Sequence, residues 1–275
     1  MKIGVIIPLT DDVDGEFKKV HDLGLPTCQL VSWEQARFTA ENAQKVLAAS
    51  RKYAVAITAF WCGWEGPAIW DLVSGPLTLG LVPVTFRHDR LKMLLKGADF
   101  AAMIGVKDMV THVGFIPENP NDPDYMSLIA VLRYLASYCQ KKGLYFLFET
   151  GQESPVTLLR TFEDIGLDNL GANLDPANLI LYGKANPVDA LDVIGKYVRG
   201  VHAKDGLYPT RGKFLGEETP LGQGKVNIPA LVARLKEVGY DGALTIEREI
   251  SGDQQVKDIL MAKSLLENLI QEVHQ

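Results

Sequence analysis

Four residues at the ends of apolar runs are of the types that hold a divalent cation: Glu149 in LYFLFETGQE, Asp175 in NLDPAN, His202 in VHAKD and Glu247 in TIERE. An apolar run reads as a buried strand, and an unpaired carboxylate at its tip is costly to bury, so Glu149 calls for a charged partner or a metal. The four are spaced by 26, 27 and 45 residues. The first two intervals fit one strand-plus-helix repeat each, and the third fits one repeat plus a long loop. Three carboxylates gathered at one place raise one another's pKa unless a cation neutralises them, and carboxylate oxygens with one imidazole suit Mn²⁺, Mg²⁺, Co²⁺ or Zn²⁺. Any one of these residues alone reads as a helix cap, a loop ion pair or a packed core histidine; their succession on consecutive strands points to a metal.

The elements that would position them repeat along the whole chain. Short runs rich in Val, Ile and Leu begin at Lys2, Pro26, Tyr53, Asp108, Leu144, Leu170, Val198 and Gly242, and amphipathic stretches such as RLKMLLKGADFAAMIG and SLIAVLRYLASYCQKKG lie between them. Strands alternating with helices call for a parallel sheet covered by helices. No early strand is followed by a GxGxxG turn, so the expected fold is α/β, a single (β/α)8 TIM barrel forming one domain over residues 1–275. In such a barrel the strand C-termini converge on one face, which is where the four residues would meet.

Composition narrows the function. With 47% hydrophobic and 23% charged residues the chain is an ordinary globular one, and no apolar run reaches the roughly 20 residues of a membrane helix. MKIGVIIPLT reads as a first strand, not a signal peptide. Cys28, Cys62 and Cys139 are widely spaced with no CxxC, which argues against a disulfide framework or a thiolate metal site and points to a reducing cytoplasm. A net charge of −6 without a Lys/Arg cluster argues against a nucleic-acid partner. GQG at 222–224 reads as a turn. Lys204, two residues after His202, shares its inward side if the strand continues, and would hold a substrate oxygen or carboxylate. Trp61, Trp64 and Trp70 follow the third strand and suit either a sugar-binding wall or an interface in a homo-oligomer. Arg87 and Arg90 open the next helix and are expected to be solvated or paired with loop acids.

FETGQE, NLDPAN, VHAKD, PLGQGKVNIPAL and YDGALTIERE, in this order and spacing, resemble the xylose isomerase-like TIM-barrel superfamily of sugar-phosphate isomerases and epimerases, which also contains AP endonuclease family 2. The resemblance covers nearly the whole chain. It implies one divalent ion, Mn²⁺ before Mg²⁺, Co²⁺ or Zn²⁺, held by Glu149, Asp175, His202 and Glu247. The ion would chelate the carbonyl and adjacent hydroxyl of a sugar and stabilise an enediolate, with Glu149 and Glu247 as base and acid on opposite sides of the substrate. His112, in THVGF, resembles a family histidine that contacts substrate. Asn178 stands where many relatives carry His, which weakens a direct match to the ketose 3-epimerases and removes a ligand of the trinuclear zinc endonucleases; here it is expected to bind substrate. Gln223 and Lys225 replace an endonuclease Asp and His in the late loop. The expected function is therefore a metal-dependent isomerase or epimerase of a small sugar, keto-sugar acid or polyol. An inosose-type dehydratase on the same residues is the alternative, ahead of a non-catalytic carbohydrate-binding barrel and an endonuclease.

Overall fold

The computed structural model describes residues 1–273, so the last two positions of the expected domain lie outside the described residues. Ten strands form among the described residues: β1 (Lys2–Pro8), β2 (Thr27–Ser32), β3 (Ala56–Cys62), β4 (Asp108–Thr111), β5 (Tyr145–Glu149), β6 (Leu170–Leu174), β7 (Val198–Ala203), β8 (Asp205–Gly206), β9 (Glu218–Thr219) and β10 (Ala243–Ile246). Eight of them close a barrel in the order β1-β10-β7-β6-β5-β4-β3-β2, every neighbouring pair parallel. Strands β8 and β9 pair antiparallel in a separate hairpin after β7.

The helices are α1 (Val13–Asp22), α2 (Ala40–Tyr53), α3 (Gly75–Thr78), α4 (Val84–Met103), α5 (Pro123–Lys141), α6 (Pro155–Ile165), α7 (Pro176–Leu181), α8 (Pro187–Ile194), α9 (Ile228–Glu237) and α10 (Asp253–Glu272). Their starts are written locally. Asp12, Thr39, Asp122, Ser154, Asp175 and Asn186 each accept a hydrogen bond from a first-turn N–H of the helix that follows, satisfying donors that have no partner within the helix. The main core lies between the strands and the helical ring, with Phe17, Phe60, Phe100, Phe146 and Phe148 fully buried. A second cluster, around Trp61, Trp64, Leu79 and Met93, lies under the loop that follows β3.

That loop corrects the expectation for the two arginines. Arg90 is buried, and its guanidinium donates to the carbonyls of Thr78 and Gly80 at 2.7 Å each, Pro67 at 2.7 Å and Glu65 at 3.3 Å. Arg87 is buried as well, donating to Leu81 O at 2.7 Å, Val82 O at 2.6 Å and Ser127 Oγ at 2.8 Å. Neither is solvated or paired with a loop acid. A packed loop without strand or helix partners leaves its carbonyls needing donors, and a five-donor guanidinium supplies several at once.

The late loop is held in the opposite sense, by an acceptor. Buried Asp205 accepts from the N–H groups of Gly206, Gly222, Gly224 and Val226 at 2.8, 3.0, 2.9 and 3.1 Å. The GQG turn is thus wrapped on a carboxylate, and a Cβ on Gly224 would fall 2.1 Å from Asp205 Oδ1. The two long loops meet where Leu72 N–H donates to Lys213 O.

Candidate metal centre and substrate cavity

Strands β5, β6, β7 and β10 end on one face of the barrel and bring Glu149, Asp175, His202 and Glu247 together, with one ligand atom from each lying within 4.8 Å of the others. Glu149 is the last residue of β5; Asp175 follows β6 and also caps α7 through Asn178 N–H at 2.8 Å. His202 sits inside β7, and Glu247 directly follows β10. Glu149, Asp175 and His202 are buried, while the Glu247 side chain retains 17% of its exposure toward the cavity above.

His202 Nδ1 is the hub. It lies 3.0 Å from Glu247 Oε2, 3.3 Å from Glu149 Oε1 and 3.7 Å from Asp175 Oδ2. Burial pushes the imidazole pKa down, but Glu247, Glu149 and Asp175 outweigh it and hold His202 well above the ordinary histidine value. Lys204, also buried, stands 3.2 Å from Glu247, 3.2 Å from Glu249 and 3.5 Å from Asp175. Burial lowers its pKa and the same acids more than restore it. Desolvation works to raise Glu149, yet His112 and His202 leave it below the usual carboxylate value. Lys204 and His202 overcome burial at Glu247 in the same way and hold it well below. For Asp175 burial wins and its pKa rises.

The donor set fits a divalent cation on two counts. Asp175 Oδ2, His202 Nδ1 and Glu247 Oε2 are buried polar atoms without a hydrogen-bond partner, and all three face the same point. Buried polar atoms are rarely left this way unless an ion or water completes them. Three carboxylates and one imidazole are also a ligand set that hard to borderline divalent metals accept.

Above this cluster opens a cavity of about 390 Å³, lined among others by Trp33, Trp61, Trp70, His112, Tyr182 and Glu249. Trp61 lies within β3, not after it, and its indole N–H donates to Glu149 Oε2. Asn178 donates to Glu149 Oε1 at 3.3 Å, and His112 Nε2 lies 3.4 Å from the same oxygen. Lys204, His112, Asn178 and Trp61 therefore all gather at the carboxylates. Trp64 does not: it is 2% exposed, packs in the cluster under the loop with Arg90 above its ring, and takes no part in the cavity wall. A larger groove of about 720 Å³ runs outside the barrel between α1, β1 and α10, lined by residues such as Val20, Ile259 and Leu260.

Sequence reasoning missed Trp33, Tyr182, Glu249 and Gln29. Trp33 packs at a tilt against Trp61 and edge-on against Trp64, with centroids 4.9 and 5.1 Å apart, and no periodic signal marks it because it follows β2 in a loop. Gln29 Oε1 accepts a hydrogen bond from His202 Nε2 at 2.7 Å, and its signal was visible: a lone amide within the apolar run TCQLVS.

Comparison with known proteins agrees with this architecture. The chain is 37% identical to a xylose isomerase domain protein from Planctomyces limnophilus, covering 99% of this chain and 98% of that one with a TM-score of 0.94. A D-tagatose 3-epimerase-like protein shares the fold at 19% identity, with 100% and 98% of the two chains covered and a TM-score of 0.76. The probable 3-DHS dehydratase AsbF from Bacillus anthracis shares it at 14% identity, 97% and 98% coverage and a TM-score of 0.68. The chain spans about half the length of the curated relatives it matches, 57% of an uncharacterised protein from Methanocaldococcus jannaschii and 45% of one from Escherichia coli. A sequence model for the xylose isomerase-like TIM barrel matches residues 17–267, a stretch that takes in all four clustered residues and every barrel strand but the first; with the closed barrel and the Planctomyces likeness, this places the chain in the xylose isomerase-like TIM barrel family.

Proposed function

We propose that the protein is a divalent-metal-dependent isomerase or epimerase of carbohydrate metabolism, acting on a small sugar, keto-sugar acid or polyol. The observation that carries the reading is the convergence of Asp175 Oδ2, His202 Nδ1 and Glu247 Oε2, buried and without a hydrogen-bond partner, beside Glu149 at the floor of an aromatic-walled cavity. Glu149, Asp175, His202 and Glu247 would hold the ion, Mn²⁺ being our choice, and the ion would supply Lewis-acid polarisation of a substrate carbonyl.

The chain's own residues do the rest. The faces of Trp33, Trp61 and Trp70 suit the C–H faces of a sugar. Asn178 and His112 stand at Glu149 and would orient substrate hydroxyls beside it, and Lys204, beside Asp175 and Glu247, would hold an oxygen there. Glu149, kept ionised by its two histidine neighbours, is suited to take the proton from the carbon beside the carbonyl. Returning that proton to the adjacent carbon is an isomerisation; delivery of a proton from Glu247, once that carboxyl has taken one up, to the other face is an epimerisation. The buried thiols suit a reducing compartment, and we place the protein in the cytoplasm. Exposed Ile69, Val73 and Leu77 on the loop after β3 offer a surface for self-association.

A dehydratase acting on an inosose-like ketone is the second reading, supported by the dehydratase among the fold neighbours. One experiment separates the two. Mn²⁺-loaded protein is incubated in D₂O with ketoses, keto-sugar acids and inososes and followed by NMR, beside Glu149→Gln. Deuterium entering next to a carbonyl, and absent with Glu149→Gln, supports proton transfer, and the labelled carbon distinguishes epimerase from isomerase. Loss of water without exchange into recovered substrate would favour the dehydratase.

A further inference from the structure

His202 has two ring nitrogens, and only one can face the acids. Its Nδ1 does so, while Nε2 lies 2.7 Å from Gln29 Oε1 on β2, on the far side of the barrel interior. Gln29 is itself fixed: its Nε2 donates to Asn173 Oδ1 at 3.2 Å, and both side chains are buried. With the amide nitrogen committed to Asn173, the oxygen facing His202 can only accept, so Nε2 carries the hydrogen.

Two irregularities in the barrel serve this arrangement. The β2–β3 register shifts between Cys28 and Gln29, leaving Thr58 unpaired, and the β6–β7 register shifts between Ala172 and Asn173, leaving Arg199 unpaired. A bulge re-aims the side chains around it. The second one brings Gly200, not Arg199, opposite Asn173, and a Cβ on Gly200 would fall 2.3 Å from Asn173 Oδ1. His202, two residues beyond Gly200, shares its face. Both shifts thus lie beside a member of the Gln29–Asn173 pair, and neither residue touches the cavity above.

We infer that Gln29, anchored by Asn173, is a positioning residue that fixes the ring of His202 with Nδ1 as the metal-binding atom. This rests on the metal reading above. An apolar side chain at position 29 would leave a buried N–H without a partner and the ring free to turn, and losing such an outer partner weakens metal binding by about 10- to 100-fold. A carboxylate there would still accept from Nε2, and the Asn173 amide, whose Nδ2 has no partner, could turn to meet it.

The test is Co²⁺ titration of metal-free wild type, Gln29→Met and Gln29→Glu, read by calorimetry and by the visible spectrum of the bound ion. Melting of each metal-free protein is measured alongside. The expected result is a Kd raised about 10- to 100-fold with an altered spectrum for Gln29→Met, and near-wild-type affinity for Gln29→Glu. Wild-type Kd and spectrum in Gln29→Met would overturn the inference and leave Gln29 as core packing. If Gln29→Met does not fold, ¹⁵N NMR of the wild-type Zn²⁺ form decides: a hydrogen on Nε2 of His202 with Nδ1 bound supports the inference, and the reverse tautomer refutes it. Wild-type protein that binds no Co²⁺ or Zn²⁺ would remove the metal reading itself, and the inference with it.

Discussion

At the scale of single residues, the acids near the site divide by their surroundings. Glu149 and Glu247 have cationic neighbours and stay ionised, whereas Glu153, four residues past Glu149, is equally buried with its Oε1 unpartnered, and burial pushes its pKa up to about 8. Its consequence for stability has a definite sign. The folded state retains the Glu153 proton up to about pH 8, while the unfolded chain loses it near the ordinary value of 4.5. The contribution is therefore fully present below pH 4.5 and lost as the pH rises to about 8. Glu153→Gln removes the titration and should stabilise the protein increasingly over that window, by up to about 4 kcal/mol at its top. Urea unfolding of both proteins at pH 5 and pH 8 checks it: equal differences at the two pH values would contradict the assignment.

At the scale of elements, the two long loops are secured by buried charges acting on backbone. Removing either anchor should cost more than its exposed neighbours would. Asp205→Ala leaves four N–H groups of residues 206, 222, 224 and 226 without their acceptor and should destabilise by about 3 kcal/mol, with new proteolytic cleavage within 206–227. Arg90→Met, which retains bulk but frees four carbonyls of residues 65–80, should cost a similar amount. Because that loop carries Trp70, Arg90→Met should also weaken substrate binding. An Arg90→Met protein with wild-type melting would show that water replaces the guanidinium without cost.

At the scale of the whole molecule, the cluster joins β5, β6, β7 and β10, so an ion bound there ties together half of the barrel strands. A ligand that binds only the folded state stabilises it by mass action, about 2.7 kcal/mol at a hundredfold excess over Kd. Thermal unfolding after EDTA treatment and again with Mn²⁺ added should therefore show a rise of a few degrees, absent in Asp175→Asn, which removes a ligand charge. An identical rise in Asp175→Asn would place the ion elsewhere.

Much of this was legible in the sequence because it is local. Strand and helix periods and polar residues ending apolar runs are all set within a few residues, and the repeat of one strand and one helix then leads to a barrel. The four ligand candidates followed from that repeat, since each one ends or nearly ends a consecutive strand. What the tertiary structure alone decided is which groups meet across the closed interior. Gln29 and His202 are 173 residues apart, and their contact depends on barrel closure and on two register shifts that no sequence pattern announces. Trp33 and Trp70 reach the cavity from irregular loops, and Trp64 leaves it because Arg90 holds its loop inward. A side chain's period along a strand fixes the face it takes, but the stagger of eight strands fixes what it finds there.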